Sequence, residues 1–158
     1  MRIAKSFAIA LLVGAPLAAL AQSVPYDIKV CNITEATVID SAGDVTVLAT
    51  HGRGITDSNP AGGPFDGTTY ECRSVMDASK VSVEFSGRCT FVDKDGHKAL
   101  GAFTGTPKGW EWKFVGGTGK WEGIRGGGTT KPLKQYARLS PTVTAACAHA
   151  TGTYEINK

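Results

Sequence analysis

The sequence predicts an all-β fold, a single antiparallel eight-stranded barrel that is closed and tied by disulfides. Trp110, Trp112 and Phe114 alternate with Glu111 and Lys113, which is the period of a strand with one buried face. Seven further segments have strand character, helical periodicity is nearly absent, and turn residues separate the segments at short intervals. Closure is favoured because it removes the exposed edges that an open sheet of short strands would leave.

The chain begins with a predicted export signal. Two basic residues, Arg2 and Lys5, precede an apolar run, and the small-x-small pattern of a cleavage site ends at Ala21. We therefore expect residues 1–21 to be a cleaved signal peptide and residues 22–158 to form one β-barrel domain. The predicted localisation is exported, either periplasmic or secreted.

Composition argues against two classes of partner. Gly14 and Pro16 interrupt the only long apolar run, so no membrane insertion is expected. With Arg2 and Lys5 set aside, 15 basic residues face 14 acidic ones. The sequence has no basic run or basic-aromatic stripe, and for that reason no nucleic-acid partner is expected.

The four cysteines predict two disulfides. All of them follow the export signal, and an even number in an exported chain favours disulfides over free thiols. Three pairings are open. The preferred one joins Cys72 to Cys89 on consecutive strands and Cys31 to Cys147, since the first and last strands become neighbours when a barrel closes. The cysteines and the scattered histidines lack the spacing of a zinc site, so no metal is predicted.

Eight strands are predicted in order along the chain, each rich in β-branched or aromatic residues and bounded by turn chemistry. The turns lie at residues 41–44, 58–64, 93–96 and 106–109, where Gly, Pro, Asp, Asn and Ser concentrate. The predicted strands are Tyr26–Cys31, Val45–Thr56, Thr68–Met76, Lys80–Val92, Lys98–Thr104, Trp110–Val115, a broken strand at Ile124–Leu133, and Thr142–Ile156.

A glycine-rich segment carries a family resemblance. The residues FVGGTGKWEGIRGGGT at Phe114–Thr129 resemble the strand-turn-strand motif of dirigent proteins and, more loosely, of allene oxide cyclases. The segment GRCTFVDKDG at Gly87–Gly96 is similar to a group of small exported bacterial barrels with no settled activity. The resemblance implies an eight-stranded barrel of the allene oxide cyclase/dirigent-like superfamily and homo-oligomeric assembly. It implies no catalytic residue, because no catalytic position aligns with this chain.

Aromatic residues on the apolar strand faces are the candidate ligand site. Trp110, Trp112 and Phe114, with Tyr70 and Phe85 as weaker candidates, are predicted to line a cavity at the barrel mouth. The alternative is that the same side chains simply fill the core. Either way, the charged residues that alternate with them should lie on the solvated outer face.

Motifs for catalysis are sparse. If the strand faces were reversed, Glu71 and Glu84 would become acid-base candidates inside the barrel. The Gly119-Lys120 pair lacks the flanking residues of a phosphate loop, and residues 93–96 are interpreted as a hairpin turn and not a calcium loop. No cofactor is therefore expected.

Three functions remain open at this stage. The first is an exported barrel that binds a small apolar or aromatic ligand. The second is a cofactor-free isomerase or cyclase, or a dirigent-like protein, in which the shape of the pocket steers a reactive intermediate. The third is a structural or interaction protein whose barrel interior is filled. Sequence alone does not decide whether the protein is an enzyme.

Overall fold

The computed structural model describes residues 22–157 and confirms a closed barrel of eight antiparallel strands. The predicted signal peptide, residues 1–21, lies outside the described residues. One 3-10 turn, Gly119–Trp121, separates the sixth and seventh strands. The strands are β1 (Val24–Ala42), β2 (Val45–Ser58), β3 (Thr68–Ala78), β4 (Val83–Val92), β5 (Lys98–Thr106), β6 (Gly109–Gly117), β7 (Ile124–Gln135) and β8 (Val143–Ile156).

Each strand pairs with its neighbours in sequence, and β8 returns to pair with β1. The turns β1–β2, β3–β4, β5–β6 and β7–β8 therefore lie at one end of the barrel, which we call the upper end. The β2–β3 loop, the β4–β5 turn and the β6–β7 connection lie at the other, lower end. No helix within residues 22–157 is long and apolar enough to cross a membrane.

Two strand boundaries differ from the prediction by more than two residues. β1 continues eleven residues past Cys31, to Ala42. The prediction ended too early because the alternation in this upper half is the reverse of the usual pattern. Inward positions Asn32 and Thr34 are polar, whereas outward Ile33 is 49% exposed, so the segment lacks an apolar buried face. β4 begins at Val83 and not at Lys80, since residues 79–82 form a turn closed by backbone bonding from the Ser79 N–H to the Ser82 carbonyl at 2.8 Å.

Both disulfides follow the preferred pairing, and each joins residues directly opposite in the ladder. Cys31–Cys147 links β1 to β8, the seam where the barrel closes, with its sulfur atoms on the outer face near the Tyr136 hydroxyl. Cys72–Cys89 links β3 to β4 and faces the interior. One disulfide therefore fastens the seam and the other forms part of the inner wall.

The lower half of the barrel is filled by aromatic side chains. Phe65, from the β2–β3 loop, enters the lower end and stacks on Trp121 at 4.7 Å between ring centroids and on Phe114 at 5.4 Å. Phe65 has a φ of 65°, a left-handed conformation that is unusual for a bulky residue. Its burial, at 3% exposure, offsets that strain, so this loop residue closes the lower end.

Tyr26 connects the cluster of Phe65, Phe114 and Trp121, which we call the plug, to the barrel wall. Its ring meets Phe65 and Trp112 edge to face, and its hydroxyl lies against Gly128 and Gly152, where an added Cβ would come within 2.3 Å of the oxygen. Burial raises the pKa of Tyr26 well above its usual value. Both the close approach of the paired strand's backbone and that of the Tyr26 hydroxyl therefore require glycine at these two positions on β7 and β8.

Candidate functional site

The upper half of the barrel contains a cavity of about 290 Å³ that opens toward the upper end. The plug forms the floor of this cavity. We call the cavity with its floor and wall the cup. Inward-facing residues from all eight strands form its wall. The wall has two chemically different sides. This cavity is the candidate functional site.

One side of the wall is aromatic. Four of the five predicted ligand residues line it: Tyr70, Phe85, Trp110 and Trp112. Phe85 packs edge to face against Trp110 at 5.8 Å, and Trp110 stands near the upper end. The alternation of these residues in sequence was sufficient to place them on the inner face, because one strand face of a closed barrel must point inward.

The fifth predicted ligand residue, Phe114, does not line the cavity. It is 4% exposed and lies beneath the cavity, packed against Trp112 at 4.6 Å and against Phe65. Phe114 therefore follows the alternative in which these aromatic side chains fill the core. No local signal in the sequence indicates that Phe65 enters the barrel from a loop. That insertion fills the space below Trp112 and makes Phe114 part of the core.

The other side of the wall is polar but uncharged. Asn32 donates a hydrogen bond from Nδ2 to the Thr34 hydroxyl at 2.8 Å, and the hydroxyls of Thr50 and Ser74 are hydrogen-bonded to each other. Thr144 completes this side from β8. Sequence analysis missed these residues, since short polar side chains on a strand look like a solvated face. The inverted alternation Asn32, Ile33, Thr34 is the signal that would have found them.

No charged side chain lines the cavity among residues 22–157. Apart from the disulfide cysteines, Tyr70 is the one ionisable side chain of the described residues in the wall, and burial raises its pKa well above the usual value. Its hydroxyl therefore stays protonated near neutral pH and can donate a hydrogen bond. The cavity can bind and orient a neutral molecule, but it has no carboxylate, imidazole or amine for proton transfer.

The acid-base candidates lie outside the barrel, so the reversed-face alternative was wrong. Glu71 accepts a hydrogen bond from His51 Nε2 at 2.7 Å and pairs with Arg73 at 2.8 Å. The hydrogen bond with His51, followed by the contacts of Arg73, lowers the pKa of Glu71 despite some desolvation. Glu84 is likewise exposed on the outer face of β4. Neither carboxylate can reach a ligand in the cavity.

Comparison with known proteins supports the fold. The structure resembles that of the pterocarpan synthase dirigent protein GePTS1, with a TM-score of 0.54 and 10% sequence identity, over 94% of this chain and 100% of that one. No family model matches the sequence, and no curated protein matches it. The barrel is thus dirigent-like in fold, as the glycine-rich segment suggested.

The Asp93 turn stabilises the lower end of the barrel. Asp93, with a 6% exposed side chain, accepts a hydrogen bond from Trp121 Nε1 at 3.1 Å and pairs with Lys120 at 2.9 Å. Its other oxygen accepts the backbone N–H groups of Asp95 and His97 at 2.9 and 3.0 Å. One carboxylate oxygen from each of Asp93 and Asp95 and one ring nitrogen of His97 lie within 4.8 Å of one another. The ammonium group of Lys120 already pairs with Asp93 at this turn. The hairpin-turn interpretation therefore fits these contacts.

Replacing Asp93 by alanine is expected to cost about 2–3 kcal/mol of unfolding free energy at pH 7, since a buried indole N–H and two backbone donors lose their acceptor. Desolvation opposes ionisation of Asp93, but Lys120 and the backbone donors outweigh it and lower its pKa to about 2. The stabilisation is complete above the unfolded-state pKa of about 4 and is lost as the pH falls toward 2.

Urea titrations of the wild type and of Asp93→Ala between pH 6 and pH 2 measure this effect. The difference between the two proteins should shrink as the pH falls below about 4. Asp95→Ala is the control, because the Asp95 carboxylate is exposed and pairs only with Lys94. A difference that stayed constant across this pH range would show that the Asp93 charge does not stabilise the turn.

Proposed function

We propose that the protein binds a small neutral molecule with an aromatic or apolar face and one or two hydrogen-bonding oxygens. The observation that carries this proposal is the two-sided wall of the cup. Aromatic rings on β3 to β6 face hydroxyl and amide groups on β1, β2, β3 and β8, and no charged side chain of the described residues lies between them. An apolar wall with a few polar groups that fix orientation is the usual composition of a small-molecule site.

The size of the cavity narrows the ligand class. Engineered cavities of about 150 Å³ lined by apolar side chains hold one benzene molecule. At about 290 Å³, the cup has room for a ligand on the order of two fused or linked rings. Larger ligands would have to extend through the open upper end, past Trp110 and Thr144.

The proposal includes action outside the cytoplasm. The predicted signal peptide and two disulfides among four cysteines are both typical of exported chains, because reducing compartments do not maintain structural disulfides. A protein recovered in reduced form from the cytoplasm of its native host would contradict this part.

Filling the cup is the direct test of binding. Ala146 lines the cavity and Ala145, its neighbour on β8, points outward opposite Ile33. Ala146→Phe should weaken binding of 2-naphthol, two fused rings with one hydroxyl, by about tenfold or more, because the added ring occupies the site. Ala145→Phe should leave the dissociation constant unchanged. Isothermal titration calorimetry measures both constants.

The native mass of protein purified without refolding gives a second readout. A bound molecule that is released on denaturation, and that is missing from Ala146→Phe, would identify the natural ligand class. Equal affinity of Ala146→Phe and Ala145→Phe for 2-naphthol, together with no bound molecule in either variant, would overturn the proposal.

A dirigent-like role is the second candidate, and the fold supports it. The structural neighbour is named a pterocarpan synthase dirigent protein, and a cup without charged groups could steer a reactive intermediate by shape, with the neutral Tyr70 hydroxyl as a donor. The assay is pterocarpan formation by the purified protein. Activity that Ala146→Phe abolishes would favour this candidate over simple binding.

The cavity counts against the filled-barrel alternative. Aromatic side chains fill the lower half, but the upper half contains the cavity. A purely structural role would not require a gap lined by Trp110, Phe85 and a row of hydroxyls. The interior therefore favours binding over a role confined to the loops.

A further inference from the structure

A second concave surface lies on the outer face of β2 to β5. It is a groove of about 1040 Å³ lined by four basic side chains, those of Arg53, Arg73, Arg88 and Lys98, and by one carboxylate, that of Glu71. We call it the basic groove. The groove has three more basic than acidic groups, whereas the chain after its predicted signal has an excess of only one. Positive charge is therefore concentrated here.

The register of the sheet places two of these cations side by side. Arg73 on β3 and Arg88 on β4 are directly opposite in the antiparallel ladder, a position in which like charges destabilise a sheet. Glu71 compensates Arg73 at 2.8 Å, but no carboxylate within residues 22–157 pairs with Arg88 or Lys98. The barrel thus retains an unfavourable charge pair with free donors facing outward.

The chemistry of the groove selects among anionic partners. Outward hydroxyls, those of Thr69, Thr90 and Ser86, line the groove beside the cations and can bond to sugar hydroxyls. Tyr70 touches the groove, but its ring is buried and lines the inner cavity. Among residues 22–157 the groove therefore has no outward aromatic ring to serve as the stacking platform on which single-stranded nucleic acids bind. The described barrel is closed, so a peptide has no free strand edge to extend.

We propose that the basic groove binds an acidic polysaccharide through its sulfate or carboxylate groups. Four strands at about 4.8 Å spacing place Arg53 and Lys98 roughly 14 Å apart across the sheet, which spans several sugar units. Arg73 and Arg88 at the centre hold the anionic groups, and the threonine and serine hydroxyls contact the sugar rings. The site is separate from the cup and is independent of the ligand proposed there.

Binding of heparin, for sulfate, and of polygalacturonate, for carboxylate, tests the proposal by calorimetry at about 50 mM salt. The double variant Arg73→Gln/Arg88→Gln should bind at least one of them about tenfold or more weakly than the wild type. For this variant, the slope of log affinity against log salt concentration should fall by the amount that corresponds to about two ionic contacts. Lys29→Gln/Lys131→Gln, with the same charge change on β1 and β7, is the matched control and should bind normally.

Thermal unfolding separates this result from misfolding. Arg88→Gln alone should raise the melting temperature by about 1–3 °C, because it removes the like-charge pair while weakening the binding. The proposal is overturned if neither polysaccharide binds, if both double variants lose affinity equally, or if single-stranded oligothymidylate binds more tightly than either polysaccharide. The last result would assign the groove to nucleic acid.

Discussion

Replacing Trp112 by alanine is expected to lower the free energy of unfolding by about 3–5 kcal/mol. Trp112 is 7% exposed and lies between the plug and the cup. Its ring meets Tyr26, Phe91 and Phe114 at centroid distances of 5.6, 5.3 and 4.6 Å. Alanine would leave a void that three rings already in contact cannot close, so both the transfer energy and the packing energy are lost. Urea denaturation at pH 7 measures the change.

Two further substitutions make the prediction specific. Trp112→Phe should cost less than about 1.5 kcal/mol, because Trp112 Nε1 has no hydrogen-bond partner in the described structure and its loss leaves no acceptor unpaired. Trp110→Ala, at the half-buried mouth, should cost less stability than Trp112→Ala and still weaken 2-naphthol binding. If Trp110→Ala were as destabilising as Trp112→Ala, the division into a packed lower half and an open cup would be wrong.

Removing the seam disulfide is expected to have the second large effect. Cys31–Cys147 closes a loop of 116 residues, and the loss of that constraint from the unfolded chain corresponds to about 5 kcal/mol at 25 °C in the loop-entropy treatment. Cys72–Cys89 closes a loop of only 17 residues, which corresponds to about 3 kcal/mol. The paired alanine variants should therefore differ by about 1–2 kcal/mol, with the seam variant less stable.

The two variants should also differ in function. Cys72 and Cys89 line the cup, so Cys72→Ala/Cys89→Ala changes its wall and should alter 2-naphthol affinity. Cys31→Ala/Cys147→Ala changes only the outer face and should leave affinity unchanged while the protein is folded. Chemical denaturation of both variants at equal temperature, followed by calorimetry, measures the two effects. A more stable seam variant would show that native-state packing, and not loop length, determines the contribution of each disulfide.

Much of the fold was predictable because its signals are local. The period-2 alternation of Trp110, Trp112 and Phe114 placed β6, and the turn residues at 93–96 placed the β4–β5 hairpin. The cysteine pairing then followed from strand order, since closure makes β1 and β8 neighbours. The same local signal failed for β1 beyond Cys31, where polar side chains face a cavity and an apolar side chain faces solvent.

The candidate site was predictable only on its aromatic side. Tyr70, Phe85, Trp110 and Trp112 have apolar alternation to mark them, but the Asn32, Thr34 and Thr50 wall has no such signal. The position of Phe114 was not predictable for a different reason. Whether an inward aromatic lines a cavity or fills a core depends on what occupies the space beside it, and here that occupant is Phe65 from a distant loop.

The sequence by itself determined the all-β class, the succession of eight strands, the inward face of most of them, the presence of two disulfides and the glycines that the turns require. These depend on neighbouring residues, on chain order and on backbone conformation. Only the tertiary structure decided where the barrel is filled and where it is empty, and it alone brought Arg53, Arg73, Arg88 and Lys98 into one groove. The physical reason is that cavities and charge clusters arise from cross-strand register between distant segments, and a nearly balanced composition does not reveal that register.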